Sequence, residues 1–347
     1  MRIGIALDYS GGFHDGVDRI VELEKAGIEV AVVAEAYAFD GVSQLGYLAA
    51  KTTTVQLASG VFPIYTRTPS LLAMTAAGLD FVSDGRFNLG IGTSGPQVIE
   101  GFHGVPFDAP IGRTREVVQI CRQVWRRERV RHDGKHYQVP LPADRGTGLG
   151  KALQLINHPV REHIPISIAA LGPKNVELTA EIAEGWQPAF YYPDRAGSVW
   201  GDALAAGTAR RDPALGPLDV MVGTSLAIGD NVDDRLAWTK PTLALYIGGM
   251  GAKGRNFYHK LATRYGFGED ADRIQDLYLA GRKREAIDAV PDELARGISL
   301  IGPRGFVAER LRVFAEAGVT TLLVRPVADD PKEALRYVKE LLALRAS

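Results

Sequence analysis

Short apolar segments alternate with amphipathic helix patterns along most of the chain. Continuous apolar runs of this kind are typical of strands that are buried on both faces of a parallel sheet. The first helix pattern ends at Gly27, a residue type that commonly terminates helices. About eight strand–helix units follow one another, which favours a (β/α)8 TIM barrel over an open sheet. The predicted strands cover residues 3–7, 28–34, 55–58, 87–91, 164–169, 186–190, 218–228 and 321–325.

Two segments interrupt this alternation. Residues 130–137 have the pattern of a hairpin with Asp133-Gly134 at its turn. Residues 248–297 form a long insertion that opens on a glycine-rich stretch, and loops of this length usually carry function. The predicted barrel therefore has insertions after its fourth strand and before its eighth. No repeat or linker divides the chain, so we expect residues 1–347 to form a single domain.

Composition and charge narrow the function classes. The chain has 347 residues, 46% of them hydrophobic, and a formal net charge of −1, so nothing in it calls for nucleic acid or an anionic membrane. The single cysteine, Cys121, lies among apolar positions at helical spacing, which predicts a buried thiol and excludes an internal disulfide. No apolar run approaches the roughly 18 residues of a membrane span, and none has the pattern of a secretion signal. We therefore expect a cytoplasmic protein. The histidines form no metal-binding pattern, so no metal site is expected.

The fourth predicted strand runs into Gly90-x-Gly92-x-x-Gly95, which superficially matches a dinucleotide fingerprint. That fingerprint belongs on the first strand of a βαβ unit, with an acid about 20 positions further on, at the end of the next strand. Here the acid at that offset, Glu116, lies inside the helix that begins near residue 111. A nicotinamide site is therefore disfavoured. Two other interpretations of this turn are a barrel loop that faces a phosphate group and a structural turn that binds no ligand.

Several segments resemble the luciferase-like family of flavin- and deazaflavin-dependent enzymes. They are residues 84–92, 134–137, 168–174, 183–185 and 317–321, and together they span nearly the whole chain. Residues 34–40 and 248–254 are similar to the actinobacterial branch that uses coenzyme F420. The resemblance implies a (β/α)8 barrel with the deazaflavin at its C-terminal end. Relatives are often dimers, which makes a homodimer an expectation by analogy.

The resemblance also implies which residues contact the cofactor. The ring would rest on a bulge after the third strand, where relatives have a non-proline cis peptide bond that matches Gly60-Val61. The phosphate-bearing tail would meet two turns, the second of which leads into a helix N-terminus that favours an anion. The implied contacts are Glu35, Ser59, Gly60, Val61, Gly92, Thr93, Ser94, Ala170, Leu171, Gly172 and Asn175.

The family's sugar- and alcohol-oxidising members use a histidine base after the second strand and a glutamate in the turn after the fourth. Ala36 and Gly95 occupy these positions here, and neither can transfer a proton. This difference disfavours that dehydrogenase design and leaves a reductase that uses reduced F420 at least as well supported.

Other polar residues at strand ends are replacement candidates. The candidates for proton transfer are Glu35, Tyr37 and Tyr65, and those for substrate or lid contacts are Arg67, Tyr191, Lys253 and Arg255. Glu35 could instead form a hydrogen bond to the cofactor or a structural salt bridge, and the tyrosines could simply line the wall of the site. Arg67 could instead form a surface ion pair, and Lys253 and Arg255 could belong to a solvated loop. Asp8 and His103 also lie at or near strand ends. Instead of a functional role, Asp8 could cap a turn and His103 could be a solvated side chain.

The sequence therefore predicts a coenzyme F420-dependent oxidoreductase that transfers hydride between the deazaflavin C5 and an unidentified small organic substrate. An FMN-dependent monooxygenase of the same family is the alternative. A non-catalytic F420-binding carrier is a second alternative, because the expected base is missing.

Overall fold

The computed structural model describes residues 1–7 and 12–346. In this part of the chain, eight parallel strands close into a barrel, which confirms the predicted fold class. In spatial order they are β1 (Arg2–Leu7), β2 (Val30–Val33), β3 (Gln56–Ser59), β5 (Phe87–Gly92), β8 (Ile166–Ile168), β9 (Gly185–Trp186), β10 (Asp219–Ile228) and β12 (Thr321–Pro326). Two short strands extend the sheet: β4 (Phe62–Pro63) pairs with β5, and β11 (Leu300–Gly302) pairs with β10. A hairpin is present as β6 (His132–Asp133) and β7 (Gln138–Val139), but Asp133 pairs with Gln138 and the connection spans residues 134–137, so the turn lies later than expected.

Helices cover the outside of the barrel, and several begin with proline, whose fixed φ suits the first turn. They are α1 (Phe13–Ala26), α2 (Gly41–Lys51), α3 (Pro69–Val82), α4 (Pro96–Gly101), α5 (Pro110–Trp125), α6 (Pro173–Ile182), α7 (Pro193–Thr208), α8 (Lys240–Ala244), α9 (Phe257–Arg264), α10 (Gly268–Leu279), α11 (Lys283–Asp288), α12 (Asp292–Gly297), α13 (Arg304–Glu316) and α14 (Pro331–Ala346). Shorter turns of 3-10 helix lie at Ala143–Arg145, Pro213–Leu215 and Asp233–Thr239, and a π-helical turn at Leu245–Gly249.

Three elements differ from the sequence expectations. The sequence pattern of residues 230–245 predicts a single helix, but in the structure this segment is divided into a 3-10 turn, α8 and a π-helical turn, with Pro241 near the start of α8. The strand expected over residues 186–190 is only Gly185–Trp186, and Phe190 has a positive φ of 51°. The turn at Gly95 leads directly into the short helix α4, which sequence reasoning missed.

The core has two parts, one inside and one outside the barrel. Leu322 and Val324 of β12 face the helices, whereas Leu323 packs in the lumen with Val30, Val32, Ala58 and Met221. Because side chains alternate along a strand, this fixes which positions of β10 and β12 face the lumen. Cys121 is fully buried in the outer core, which confirms the predicted buried thiol, and burial raises its pKa to about 12.

Polar residues fill the N-terminal end of the barrel. Arg2 donates to Thr321 Oγ1 at 3.1 Å and to Gln56 Oε1 at 2.6 Å, and it also forms an ion pair with Asp219. These four residues stand at or next to the starts of four strands. The opposite, C-terminal end is the one at which enzymes of this fold place their sites.

The long insertion packs against the barrel. Leu261, Ile274 and Leu294 belong to the main hydrophobic core. The hydroxyl of Tyr265 donates to the carbonyl of Phe190 at 3.0 Å and accepts from the amide of Tyr192. The insertion therefore shares the core of the barrel at the loop after β9. Over the described residues, no helix combines the length and the apolar character that crossing a membrane requires.

Candidate functional site

The chain makes a tight bulge where β3 ends beside β5. The hydroxyl of Ser59 donates to the carbonyl of Gly90 at 2.8 Å and accepts from its amide at 2.9 Å. A Cβ on Gly90 would lie 1.7 Å from the carbonyl oxygen of Ser59, so only glycine allows the two strands to approach this closely. The expected cis peptide bond is present between Gly60 and Val61.

The other glycines around the bulge differ in whether a side chain would fit at their positions. A Cβ on Gly60 would lie 2.3 Å from Val32 Cγ1, and one on Gly92 would lie 2.6 Å from Val61 Cγ2. A Cβ on Gly95, by contrast, would have no neighbour within 4 Å among the described residues. Two glycines of the apparent fingerprint, Gly90 and Gly92, are therefore required by strand packing, and Gly95 is the one that borders open space.

Glu116 has a structural role that argues against the dinucleotide interpretation. Its carboxylate lies on α5 and accepts backbone N–H groups of Lys135, His136 and Tyr137, at 2.8 to 3.2 Å. The Nε2 of His132 lies 3.2 Å from the same carboxylate. This acid anchors the hairpin to α5.

The second predicted phosphate contact is the turn before α6. The carbonyl of Ala170 accepts from the indole of Trp186, and that of Leu171 accepts from the indole of Trp200, both at 2.9 Å. In the first turn of α6, the buried Oδ1 of Asn175 has no hydrogen-bond partner among the described residues. Buried acceptors are normally satisfied, so this turn fits a ligand that brings a hydrogen-bond donor.

A polar ladder crosses the barrel lumen behind the bulge. Ser167 Oγ donates to Asn88 Oδ1 at 3.1 Å, and Gln187 Nε2 donates to Ser167 Oγ at 2.7 Å and to the carbonyl of Ser59 at 3.2 Å. The ladder braces the bulge from inside the barrel. Sequence reasoning missed it, although polar residues within apolar strands were the available signal.

Glu35, a candidate for proton transfer, is held in an ion pair. Arg67 Nη1 lies 2.6 Å from Oε1 and Nη2 lies 2.9 Å from Oε2, and the amide of Gly41 donates to Oε2 at 2.9 Å. Both side chains are nearly buried, at 10% and 12% exposure. Arg67 also contacts Asp40 and lies over the ring of Phe62. The geometry of Glu35 and Arg67 matches the salt-bridge alternative, since each charge already has a partner.

The three tyrosine candidates lie in different environments. Tyr37 is exposed, with its ring 6.2 Å from that of Phe102. Tyr65 donates its hydroxyl to the carbonyl of Asp108 at 2.7 Å, and burial raises its pKa to about 12. Tyr191 is a core residue: it donates to the carbonyl of Ala317 at 2.7 Å, and burial likewise raises its pKa to about 12.

The aromatic surroundings of Tyr191 explain this placement. Its ring stacks on Trp200 with centroids 5.5 Å apart and packs edge-on to Trp186. A side chain enclosed in this way cannot face a substrate without repacking.

The remaining candidates are spread over the loops. Tyr65 and Arg67 line one cavity of about 560 Å³, together with Arg113 and Tyr137. Lys253 in the insertion forms an ion pair with Asp276 of α10, and Arg255 nearby is exposed. The Nε2 of His103 is buried and has no described partner, so this histidine is less solvated than expected. Asp8 lies outside the described residues. Within them, no group of three or more His, Cys, Asp or Glu side chains is arranged to hold a metal ion.

Comparison with known proteins gives relatives over nearly the whole chain. A protein of Mycobacterium tuberculosis named "putative coenzyme F420-dependent oxidoreductase" is 40% identical over 329 residues, which cover 93% of this chain and 94% of the relative. A 5,10-methylenetetrahydromethanopterin reductase of Archaeoglobus fulgidus is 26% identical over 92% of each chain. The structure of the coenzyme F420-dependent tetrahydromethanopterin reductase of Methanopyrus kandleri superposes with a TM-score of 0.81 at 23% identity, over 97% of each chain.

These relatives match nearly the whole chain, and the superposed structure shares its overall fold. The family model for luciferase-like monooxygenases matches residues 1–321. With this match and the 40% identical relative, the chain belongs to the luciferase-like monooxygenase family.

Proposed function

We propose that this protein is a coenzyme F420-dependent oxidoreductase that transfers hydride between the deazaflavin C5 and a small organic substrate. The observation that carries the proposal is the 40% identity, over nearly the whole chain, to the M. tuberculosis protein named for that activity. A cytoplasmic location belongs to the same proposal.

The strand ends fit the proposed cofactor. The ring would be held by the bulge at Ser59–Val61, and the tail by the turns at 92–94 and 170–172. The unpartnered Oδ1 of Asn175 suits a hydroxyl or amide donor of a ligand. The exposed N–H groups and the dipole at the start of α6 favour a phosphate. When bound, the cofactor supplies hydride chemistry, and the protein supplies position and proton control.

The proton-transfer candidates support reduction of the substrate. The carboxylate of Glu35 already accepts from Arg67 and from the amide of Gly41, and the hydroxyl of Tyr65 donates to the carbonyl of Asp108. Tyr37 is the proton-transfer candidate whose side chain is exposed. A tyrosine hydroxyl can act as a hydrogen-bond and proton donor, so it suits a substrate that gains hydride and then a proton. The relationship to a reductase of A. fulgidus points in the same direction.

Equilibrium binding of purified protein to F420 and to FMN tests the cofactor. We expect F420 to bind and FMN at the same concentration to remain largely free. Binding of FMN without F420 would instead support the monooxygenase alternative.

Stopped-flow mixing tests the chemistry. Protein with reduced F420 is mixed with a panel of enones, imines and ketones, and cofactor reoxidation is followed by absorbance. Reoxidation by one compound class supports the proposal. Tight F420 binding with no reoxidation across the panel favours the carrier alternative.

A further inference from the structure

Near the C-terminal ends of β10 and β12, Gly223 and Arg325 are exposed, and the space in front of them is called the hollow here. The two strands are in parallel register, with Gly223 opposite Leu323 and Ser225 opposite Arg325. Leu323 and Met221 pack together in the lumen and form the floor of this hollow. Since every second residue of a strand shares a face, Gly223 also faces the lumen, level with Leu323. Ser225 and Arg325 face it one step nearer the C-terminal end.

The surroundings of Gly223 show that the lumen is open at the level of Leu323. It lies in the middle of β10, yet it is exposed. A Cβ built on it would have no neighbour within 4 Å among the described residues. A strand interior normally carries a side chain that packs, and glycine there often marks close approach of a ligand.

Arg325 places a positive charge in this hollow. It is exposed, and no described residue forms an ion pair or a side-chain hydrogen bond with its guanidinium. Two other barrel arginines differ: Arg2 pairs with Asp219 at the opposite end, and Arg67 pairs with Glu35. A guanidinium offers several donors in a planar fork that matches a carboxylate or a phosphate.

We infer that Arg325, with the hydroxyl of Ser225 beside it, binds the anionic group of the substrate. The substrate is then an organic anion that carries a carboxylate or a phosphate, and the apolar floor of Met221 and Leu323 contacts its carbon skeleton. This inference rests on the proposed function, because it places the substrate at the same end of the barrel as the cofactor.

Calorimetric titration of the full-length protein, with and without F420, tests the inference. The probes are benzoate, phenyl phosphate and the neutral benzamide, which together separate carboxylate from phosphate and charge from shape. The variants are Arg325→Met and Arg312→Met. Arg312 lies on α13 and pairs with Glu309 and Glu316, so its replacement makes the same change in net charge outside the barrel.

We expect the wild type to bind at least one anion about tenfold more tightly than benzamide, as a charge-assisted hydrogen bond predicts. Arg325→Met should lose this preference, and Arg312→Met should keep it. The affinity for F420 should change less than about twofold in both variants.

Equal anion affinity in wild type and Arg325→Met, including no measurable binding to either, would overturn the inference. So would a variant that loses F420 affinity while its anion affinity is unchanged, since Arg325 would then serve the cofactor. If the wild type fails to bind F420 but keeps the Arg325-dependent anion preference, the proposed function fails and the anion site stands.

Discussion

Arg67 binds both carboxylate oxygens of Glu35, with Nη1–Oε1 at 2.6 Å and Nη2–Oε2 at 2.9 Å. The pair joins the end of β2 to the loop before α3, two segments that flank the bulge. A bidentate pair of this kind fixes geometry as well as charge. Glu35 therefore contributes to the site by holding its walls in place.

Replacing Glu35 tests that structural role. Glu35→Gln leaves the nearly buried guanidinium of Arg67 with Asp40 as its remaining carboxylate partner. We expect a loss of about 2–3 kcal/mol in the free energy of unfolding, measured by urea denaturation. Asp40→Asn is the matched control, because Asp40 is half exposed and its pairing should contribute less than about 1 kcal/mol. Equal losses in the two variants would contradict the assignment.

Gly60→Val tests where the cofactor lies. A Cβ at this position would lie 2.3 Å from Val32 Cγ1 and 3.3 Å from Gln187 Oε1, so a branched side chain must displace the bulge. We expect the affinity for F420 to fall about tenfold or more, measured by equilibrium binding. Gly305→Ala on α13 is the control, since its Cβ meets no described atom within 4 Å. A folded Gly60→Val protein with unchanged affinity would rule out the placement at the bulge.

The barrel was predictable because its strands are buried on both faces and therefore read as continuous apolar runs. The eight strands that close the barrel overlap the eight expected segments. Strands as short as Phe62–Pro63 and Leu300–Gly302 have too few residues to show a period. Local pattern also failed over residues 230–245, where 3-10, α and π turns follow one another.

The parts of the candidate site that depend on local features, such as strand ends and glycine turns, were predictable from the sequence. The helix that starts after Gly172 is present as its local pattern predicts. The cis bond at Gly60-Val61, which the family resemblance implied, is also present. Hydrogen-bond partners were not predictable, because they lie far apart in sequence. Arg67 lies 32 residues from Glu35, and Ala317 lies 126 residues from Tyr191. No local sequence pattern indicates which side chains will form hydrogen bonds with residues so far away in the sequence.

The homodimer stays a prediction, and α3 provides a surface for it. The exposed side chains of this helix are Leu71, Met74, Phe81 and Val82, and none of its exposed residues is charged. A two-fold axis pairs a patch with itself, so an uncharged apolar patch meets its copy without repulsion. We expect a dimer by light scattering, and a monomer after Met74→Lys. Leu279→Lys, at a similarly exposed apolar position on α10, should leave the mass unchanged. A monomeric wild type would refute the prediction.

The hydrogen bonds of Glu116 give the hairpin a defined pH dependence. Burial alone would raise the pKa of Glu116, but the hydrogen bonds from Tyr137, His132 and His136 outweigh it and lower the pKa below its usual 4.5. A carboxyl with a lowered folded pKa adds stability above its unfolded pKa and loses it as the pH falls through the folded value.

We therefore expect wild type to exceed Glu116→Gln by about 2 kcal/mol in unfolding free energy at pH 7, measured by urea denaturation. The difference should shrink progressively below about pH 4.5. The same comparison, with and without Glu116→Gln, is repeated in proteins that also carry His132→Gln. This removes the imidazole that faces the carboxylate of Glu116, so that the backbone hydrogen bonds remain. Glu128→Gln is the exposed control and should change little at any pH, because its partner Arg126 is also exposed. A difference that stays constant from pH 7 to pH 3 would show that the charge on Glu116 does not hold the hairpin.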